Sequence, residues 1–216
     1  MKLRLVALSV ITCGIALASS AFAVGQSPDD YVKTQHARLE TLLRQPESPA
    51  RGAQVSASLD GMIDYEALTR RTFGEPCPVD GCVDHWAKDL SPEQRTEALG
   101  LIKTLVQLSY KKNLSRTLSY NIAYSGSQAL GADFVVHTEA KSKVDLREPS
   151  VLVDYVLAGS SGGPYHVIDI VTERSKLTKN YYDSFHKYLT TPGQGFGYLK
   201  TKVQDKITKL QAPAAG

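Results

Sequence analysis

Cys77 and Cys82 bracket the segment Cys-Pro-Val-Asp-Gly-Cys, with Asp84 and His85 following after Val83. Cysteines this close form a disulfide in an oxidising compartment. The rival chemistry is a metal site built from Cys77, Cys82 and His85, with Asp84 nearby. The spacing matches no standard zinc pattern, and no second ligand cluster accompanies it. His137, His166 and Asp169 are the residues that could pair for acid–base work. His166 and Asp169 stand an odd number apart, so a single strand sends them to opposite faces. His137 would have to meet one of them across a sheet. His36 and His186 sit in helical patterns and offer less. Gly159-Ser160-Ser161-Gly162-Gly163 lacks the strand-to-helix setting of a nucleophile elbow, and no Gly-rich phosphate loop precedes a helix. Arg174, Lys176 and Lys179 crowd together beside Glu173. Arginine holds phosphate in a bidentate fork and lysine holds it as a point charge. The plainer reading of these cations is a solvated helix start.

The elements that position these residues can be read from periodicity. Val151 to Ala158 alternates like a strand, Gly159 to Gly163 reverses the chain, and Tyr165 to Thr172 alternates again. In the second run Tyr165, Val167, Asp169 and Val171 share one face, and His166, Ile168 and Ile170 share the other. Both faces are largely apolar, so each must be covered. A helix follows with Leu177, Tyr181, Phe185 and Leu189 in one stripe. Two earlier strands run from Thr117 to Gly126 and from Asp133 to Lys143. Short loops join all four strands, which predicts an antiparallel meander.

Helices flank the strands. One starts near Ser27-Pro28-Asp29 and ends before Pro46. Ala50 to Met62 is a second, and Ile63 to Phe73 a short third that stops at Gly74. Ser91-Pro92-Glu93-Gln94 is a capping box that opens a long helix reaching about Leu114. Its apolar residues form more than one stripe, so it is covered on more than one side. A last helix spans Gln194 to Leu210. Helices, then strands, then helices define an α+β chain.

At the N-terminus Lys2 and Arg4 precede an apolar run, and Ala21-Phe22-Ala23 is an A-x-A cleavage site. Residues 1–23 therefore read as a signal peptide, 24–211 as one domain and 212–216 as a disordered tail. A lipid attachment at Cys13 is the alternative, with Thr12 bulky for that role. The whole chain carries a formal charge of +3. Losing Lys2 and Arg4 brings it close to neutral, which argues against nucleic-acid binding.

Ile63-Asp64-Tyr65, Phe73-Gly74, His85-Trp86-Ala87 and Leu90-Ser91-Pro92-Glu93-Gln94-Arg95 resemble the first block of the toluene-tolerance family, the MlaC-type periplasmic lipid carriers. Val153-Asp154-Tyr155-Val156-Leu157, Ile168 to Glu173, Leu177, Asn180-Tyr181 and Phe185 resemble its second block. Together the blocks cover most of the mature chain. The sequence departs from the family at Tyr165, where Trp is usual, and at Glu173-Arg174-Ser175-Lys176-Leu177, where Glu-Gly-Val-Ser-Leu is usual. The Cys77–Cys82 insert between Gly74 and Trp86 is a third departure. The resemblance implies an NTF2-like, MlaC-like sheet with an apolar cavity between sheet and helices. It also implies a monomeric shuttle without cofactor, metal or catalytic residue. The implied partners are a phospholipid, an outer-membrane lipoprotein complex and an inner-membrane ABC transporter.

Such a carrier needs a dry slot, because exposing a chain of about 16 carbons to water costs on the order of 10 kcal/mol. The lining expected between the concave sheet face and the long helix is Leu101, Leu105 and Leu108 with Tyr120, Ile122, Phe134, Val136, Val153 and Tyr155. Core and slot share one periodicity, so the pattern does not separate them. Arg174 and Lys176 are candidates for a head group or an acidic partner at the mouth. Two other readings stand beside this one: an NTF2-like isomerase or lyase using a strand His/Asp pair, and an envelope adaptor with no internal cavity.

Overall fold

Most helices begin on a residue able to take up a backbone donor of the first turn. In the computed structural model, which describes residues 25–160 and 164–212, Ser27 caps α1 (Pro28–Leu43) and Ser48 caps α2 (Pro49–Met62). Asp64 caps α3 (Tyr65–Thr72), and Asp84 caps the single turn α4 (His85–Lys88). Each accepts from an N–H that the helix itself leaves without a partner. The expected box opens α5 (Pro92–Thr117). Gln94 N–H donates to Ser91 Oγ at 3.3 Å, and Ser91 N–H donates to Gln94 Oε1 at 2.9 Å. The leader read at residues 1–23, Cys13 within it, and the tail beyond 212 lie outside the described residues.

Five strands follow, not four: β1 (Tyr120–Leu130), β2 (Asp133–Ser142), β3 (Val151–Ala158), β4 (His166–Thr172) and β5 (Ser175–Lys176). They pair antiparallel in sequence order, as a meander does. β5 escapes periodicity because two residues have no period to read. It pairs Thr172 with Ser175 and Val171 with Lys176 across the two-residue turn Glu173-Arg174. Both turn residues have positive φ, 49° and 65°, as a type I′ hairpin requires. Neither is glycine, so the turn is strained. Arg174→Gly is expected to raise stability by about 0.5–1 kcal/mol. Urea unfolding reads this directly, and an unchanged or lower midpoint would refute it.

Two bulges also correct the strand pattern. β1 continues past Gly126, whose φ of 101° accompanies a register shift after Tyr124. In β4 the register jumps from Val156↔Asp169 to Leu157↔Val167, which leaves Ile168 as the extra residue. Alternation restarts there. Val167 therefore joins Leu157 on the main core face, while Asp169 turns to the other face with Ile168 and Val171.

After β5 come α6 (Leu177–Thr190) and α7 (Phe196–Gln211). Lys176 gives α6 no side-chain cap. Asp169, buried in β4, supplies one from across the chain. It accepts from Thr178 N–H at 3.1 Å and from Thr178 Oγ1 at 2.7 Å.

One face of the sheet carries the main core. Val136, Leu157, Val167 and Tyr165 pack there with residues of α1, α2, α3, α5, α6 and α7. Phe73 is fully buried, with ring centroids 5.1 Å from Phe185 and 6.0 Å from Trp86. A side chain at the next residue, Gly74, would collide with the carbonyl oxygen of Val83, and its φ of 91° suits glycine alone. The opposite sheet face holds a smaller cluster of Val135, Val156 and Ile168, with Ala67 of α3 against it. α5 packs against α2, α3 and α7, as its broad apolar surface predicts.

Cys77 and Cys82 form the expected disulfide, with Cα atoms 5.8 Å apart. His85 is not available as a metal ligand beside them. It is buried, and its Nδ1 lies 2.5 Å from Asp89 Oδ2 and its Nε2 2.8 Å from His186 Nδ1. The result ties the cysteine loop and α4 to α6.

Candidate functional site

Packing along the main sheet face is not uniform. At the end holding Phe134, Val136, Leu157 and Val167 the side chains close on the helices. At the other end they do not, and two lobes open between the sheet, α1, α5 and α6. The first lobe has a volume of about 400 Å³. Val106, Ser109 and Tyr110 line it from α5, and Val153, Tyr155 and Ile170 from the sheet. Leu177, Asn180 and Tyr181 close it from α6, with Thr172 and Ser175 beside them. The second lobe, about 390 Å³, reaches toward α1 and β1. Leu39, Met62, Leu118 and Ile122 give it apolar wall, and Lys33, His36, Glu40 and Lys143 give it charge or polarity.

Tyr110, Thr117 and Tyr155 border both lobes. A smaller cavity of about 170 Å³ adjoins at Thr117, Tyr120 and Ile122. Each main lobe lies within the usual range for ligand sites. Burial pushes the phenols of Tyr110 and Tyr155 well above their ordinary range, so both stay protonated donors at neutral pH. Among the described residues no group of three or more His, Cys, Asp or Glu is placed to hold a metal ion.

The expected lining divides in two. Tyr120, Ile122, Val153 and Tyr155 border the lobes. Leu105 and Val136 are fully buried in the core, and Phe134 and Leu101 pack against it. Leu108 is half-buried and borders none of the three cavities. On α5 the open stripe is Val106, Ser109 and Tyr110, one residue around from the stripe read in the sequence. Arg174 and Lys176 are exposed, and the residues beside them, Ser175 and Leu177, border the first lobe. The acid–base trio does not assemble. His137 Nδ1 lies 3.0 Å from Asp154 Oδ1, His166 is exposed, and Asp169 is engaged by Thr178. The register puts all three on the sheet face opposite the lobes.

His36 is the residue that sequence reasoning passed over. It stands in α1, with Nδ1 2.7 Å from Tyr124 Oη and its ring edge-on to Tyr155 at 5.0 Å. Its neighbours on the same helix stripe, Val32 and Leu39, are ordinary core aliphatics. Burial lowers its pKa from 6.5 to about 4. The folded state therefore resists protonating His36, while the unfolded chain takes the proton below its ordinary pKa. The contribution to stability is whole above pH 6.5 and is lost as pH falls toward 4. About 2 kcal/mol is expected to go by pH 5. His36→Gln should flatten that part of the stability–pH curve, measured by urea unfolding. Parallel curves for parent and variant would exclude the effect.

An antiparallel meander wrapped by helices around a two-lobed cavity, one lobe mainly apolar and the other partly charged, defines an α+β class with its cleft between sheet and helices. The family profile described as MlaC protein matches residues 32–203, and the chain belongs to this family. A search of curated proteins finds no match. Among solved structures, the chain is similar to a phospholipid-binding protein from Ralstonia solanacearum, determined in complex with a phospholipid at 1.53 Å. The TM-score is 0.68 at 21% identity, over 86% of this chain and 99% of that one.

Proposed function

We propose that this protein binds a phospholipid by its acyl tails in the two lobes. We further propose that it carries the lipid through the periplasm, between an outer-membrane complex and an inner-membrane ABC transporter. The observation that carries the reading is the open half of the sheet face. Val106, Val153, Ile170 and Leu177 surround empty space where a solid core would have closed. A cleft of this size with a mostly aliphatic and aromatic wall is of the kind that takes a largely apolar ligand. Membership of the MlaC family and the phospholipid bound by the Ralstonia protein support the same ligand class. No helix among the described residues is long and apolar enough to cross a membrane.

The test is native mass spectrometry of the exported mature protein, with the bound species extracted and identified. A stoichiometric diacyl lipid is expected. Protein that is empty however gently it is purified, and that takes up no lipid from vesicles, would overturn the reading.

Arg174 and Lys176 enter this proposal as rim residues. Neither makes an ion pair among the described residues. Arg174 lies in the turn next to Ser175 of the first lobe, whereas Lys176 pairs with Val171 and so starts from the other sheet face, and on this reading only its long side chain could bring it to a head group at the rim. A wet rim contact is worth about 1 kcal/mol or less, so it tunes selectivity more than affinity. Arg174→Glu with Lys176→Glu should change the head-group distribution of bound lipid and the salt dependence of transfer, with total occupancy nearly constant. If neither changes, these are ordinary surface cations.

A further inference from the structure

Five tyrosines border the cavities: Tyr110, Tyr120, Tyr124, Tyr155 and Tyr181. A phenol held away from bulk water needs a hydrogen-bond partner, and going without one is costly. Three of the five have one. Tyr120 O–H donates to Glu148 Oε1 at 2.8 Å, and Tyr124 Oη lies 2.7 Å from His36 Nδ1. Tyr181 Oη accepts from Lys206 Nζ at 3.1 Å. The hydroxyls of Tyr110 and Tyr155 have no partner among the described residues. Nor do they belong to the polar atoms sealed inside the packing. Each therefore opens onto the lobes that its ring borders.

Both residues stand where the two lobes meet, Tyr110 on α5 and Tyr155 on β3. Burial, and then the neighbouring Tyr155, hold the Tyr110 phenol protonated; burial does the same for Tyr155. The junction thus offers two neutral O–H donors. No charged side chain borders the first lobe. The charged residues of the second, Lys33, Glu40 and Lys143, are exposed. A phosphate drawn in as far as the junction would need a counter-charge that the first lobe lacks. A plain hydrocarbon would leave two donors unpaired. A neutral acceptor with no proton of its own meets both conditions. A carbonyl oxygen is such an acceptor, and a diacyl lipid carries two of them where its tails diverge.

We propose that the hydroxyls of Tyr110 and Tyr155 donate to the ester carbonyl oxygens of a bound diacyl lipid. The glycerol then sits at the junction, with one tail in each lobe. An apolar wall alone grips a chain at any depth, since every methylene is like the next. Two fixed donors set the depth, and they make the site a reader of linkage chemistry: it takes ester-linked chains and discriminates against ether-linked ones. The proposal rests on the lipid-carrier reading above and names the ligand atoms that reading leaves open.

Diester and diether phosphatidylglycerol of one chain length differ only in those carbonyls. The experiment equilibrates the mature full-length protein with vesicles holding the two in equal amounts, then extracts and quantifies the bound lipid by mass spectrometry. The parent should carry the diester in about tenfold excess or more, because the diether strands both donors. Tyr110→Phe with Tyr155→Phe keeps both rings and should bring the ratio close to one; each single variant should lose part of the preference. Neither hydroxyl bonds to the protein, so the lipid-free double variant should unfold at the same urea concentration as the lipid-free parent. Equal uptake of both lipids by the parent would overturn the proposal and would mean that water serves the two hydroxyls. So would a double variant that keeps the parent's preference, or one that unfolds earlier than the parent when both are empty. Lipid occupancy keeps the two readings apart: a parent that takes up neither lipid sinks the carrier reading itself, whereas a loaded parent blind to linkage sinks only carbonyl recognition.

Discussion

Val153→Trp is expected to lower bound lipid at least tenfold while leaving the protein folded. Val153 lies on β3 and borders the first lobe, a space of about 400 Å³. An indole there occupies volume that several methylenes of a bound chain would otherwise fill. Each methylene left in water costs about 0.8 kcal/mol, so excluding even two of them reaches a tenfold loss. Val136→Trp is the control. Val136 is fully buried on the same face, two strand pairs into the packed end. There the added rings have no space, and overpacking should cost about 1–3 kcal/mol or more. Lipid extraction and urea unfolding of both variants separate the cases. If Val153→Trp loses stability as Val136→Trp does and keeps its lipid, the first lobe is not where the tails lie.

Asp169→Ala should destabilise the protein by about 3 kcal/mol. The carboxylate is 3% exposed and accepts from Thr178 N–H, Thr178 Oγ1 and Ile170 N–H. Hydrogen bonds to a charged acceptor are the stronger kind, and removing it strands buried donors. The substitution also removes the side chain that caps the start of α6, where Lys176 offers no cap of its own. Because Leu177, Asn180 and Tyr181 border the first lobe, a frayed α6 should lower lipid occupancy too. Asp169→Asn keeps an acceptor and should cost roughly half as much. A loss below about 1 kcal/mol for Asp169→Ala would show that Thr178 finds other partners.

The helices were the most legible part of the chain. Ser91-Pro92-Glu93-Gln94 fixes where α5 starts because capping is local chemistry. The disulfide was legible from spacing and from the signs of export. The fifth strand was not, since Ser175-Lys176 is too short for periodicity and its turn uses Glu173 and Arg174 where glycine would have announced it. The extra residue at Ile168 defeated strict alternation, because a bulge leaves no composition mark when the bulged residue is as apolar as its neighbours. The division of core from cavity was the least legible. Leu105 and Val106 are adjacent aliphatics on one helix and both belong to the core, yet only Val106 also borders a lobe. What separates them is the element standing opposite, which periodicity does not report. Ser109, a small polar residue inside an apolar helix, was the one available hint that α5 opens there. His36 was hidden for the same reason, since a cavity wall and a core wall ask for the same stripe.

The divided sheet face bears on how long the molecule survives. Ligand that binds only the folded state adds stability by mass action, about 1.4 kcal/mol for each tenfold excess over its dissociation constant. The packed half contributes its stability at all times, whereas the open half contributes fully only while loaded. On the carrier reading proposed above, unfolding, and the proteolysis that follows it, would fall mainly on molecules without bound lipid. Lifetime would then record traffic: the melting temperature of freshly isolated protein would measure its load, and a pool starved of lipid would be cleared faster than one kept supplied.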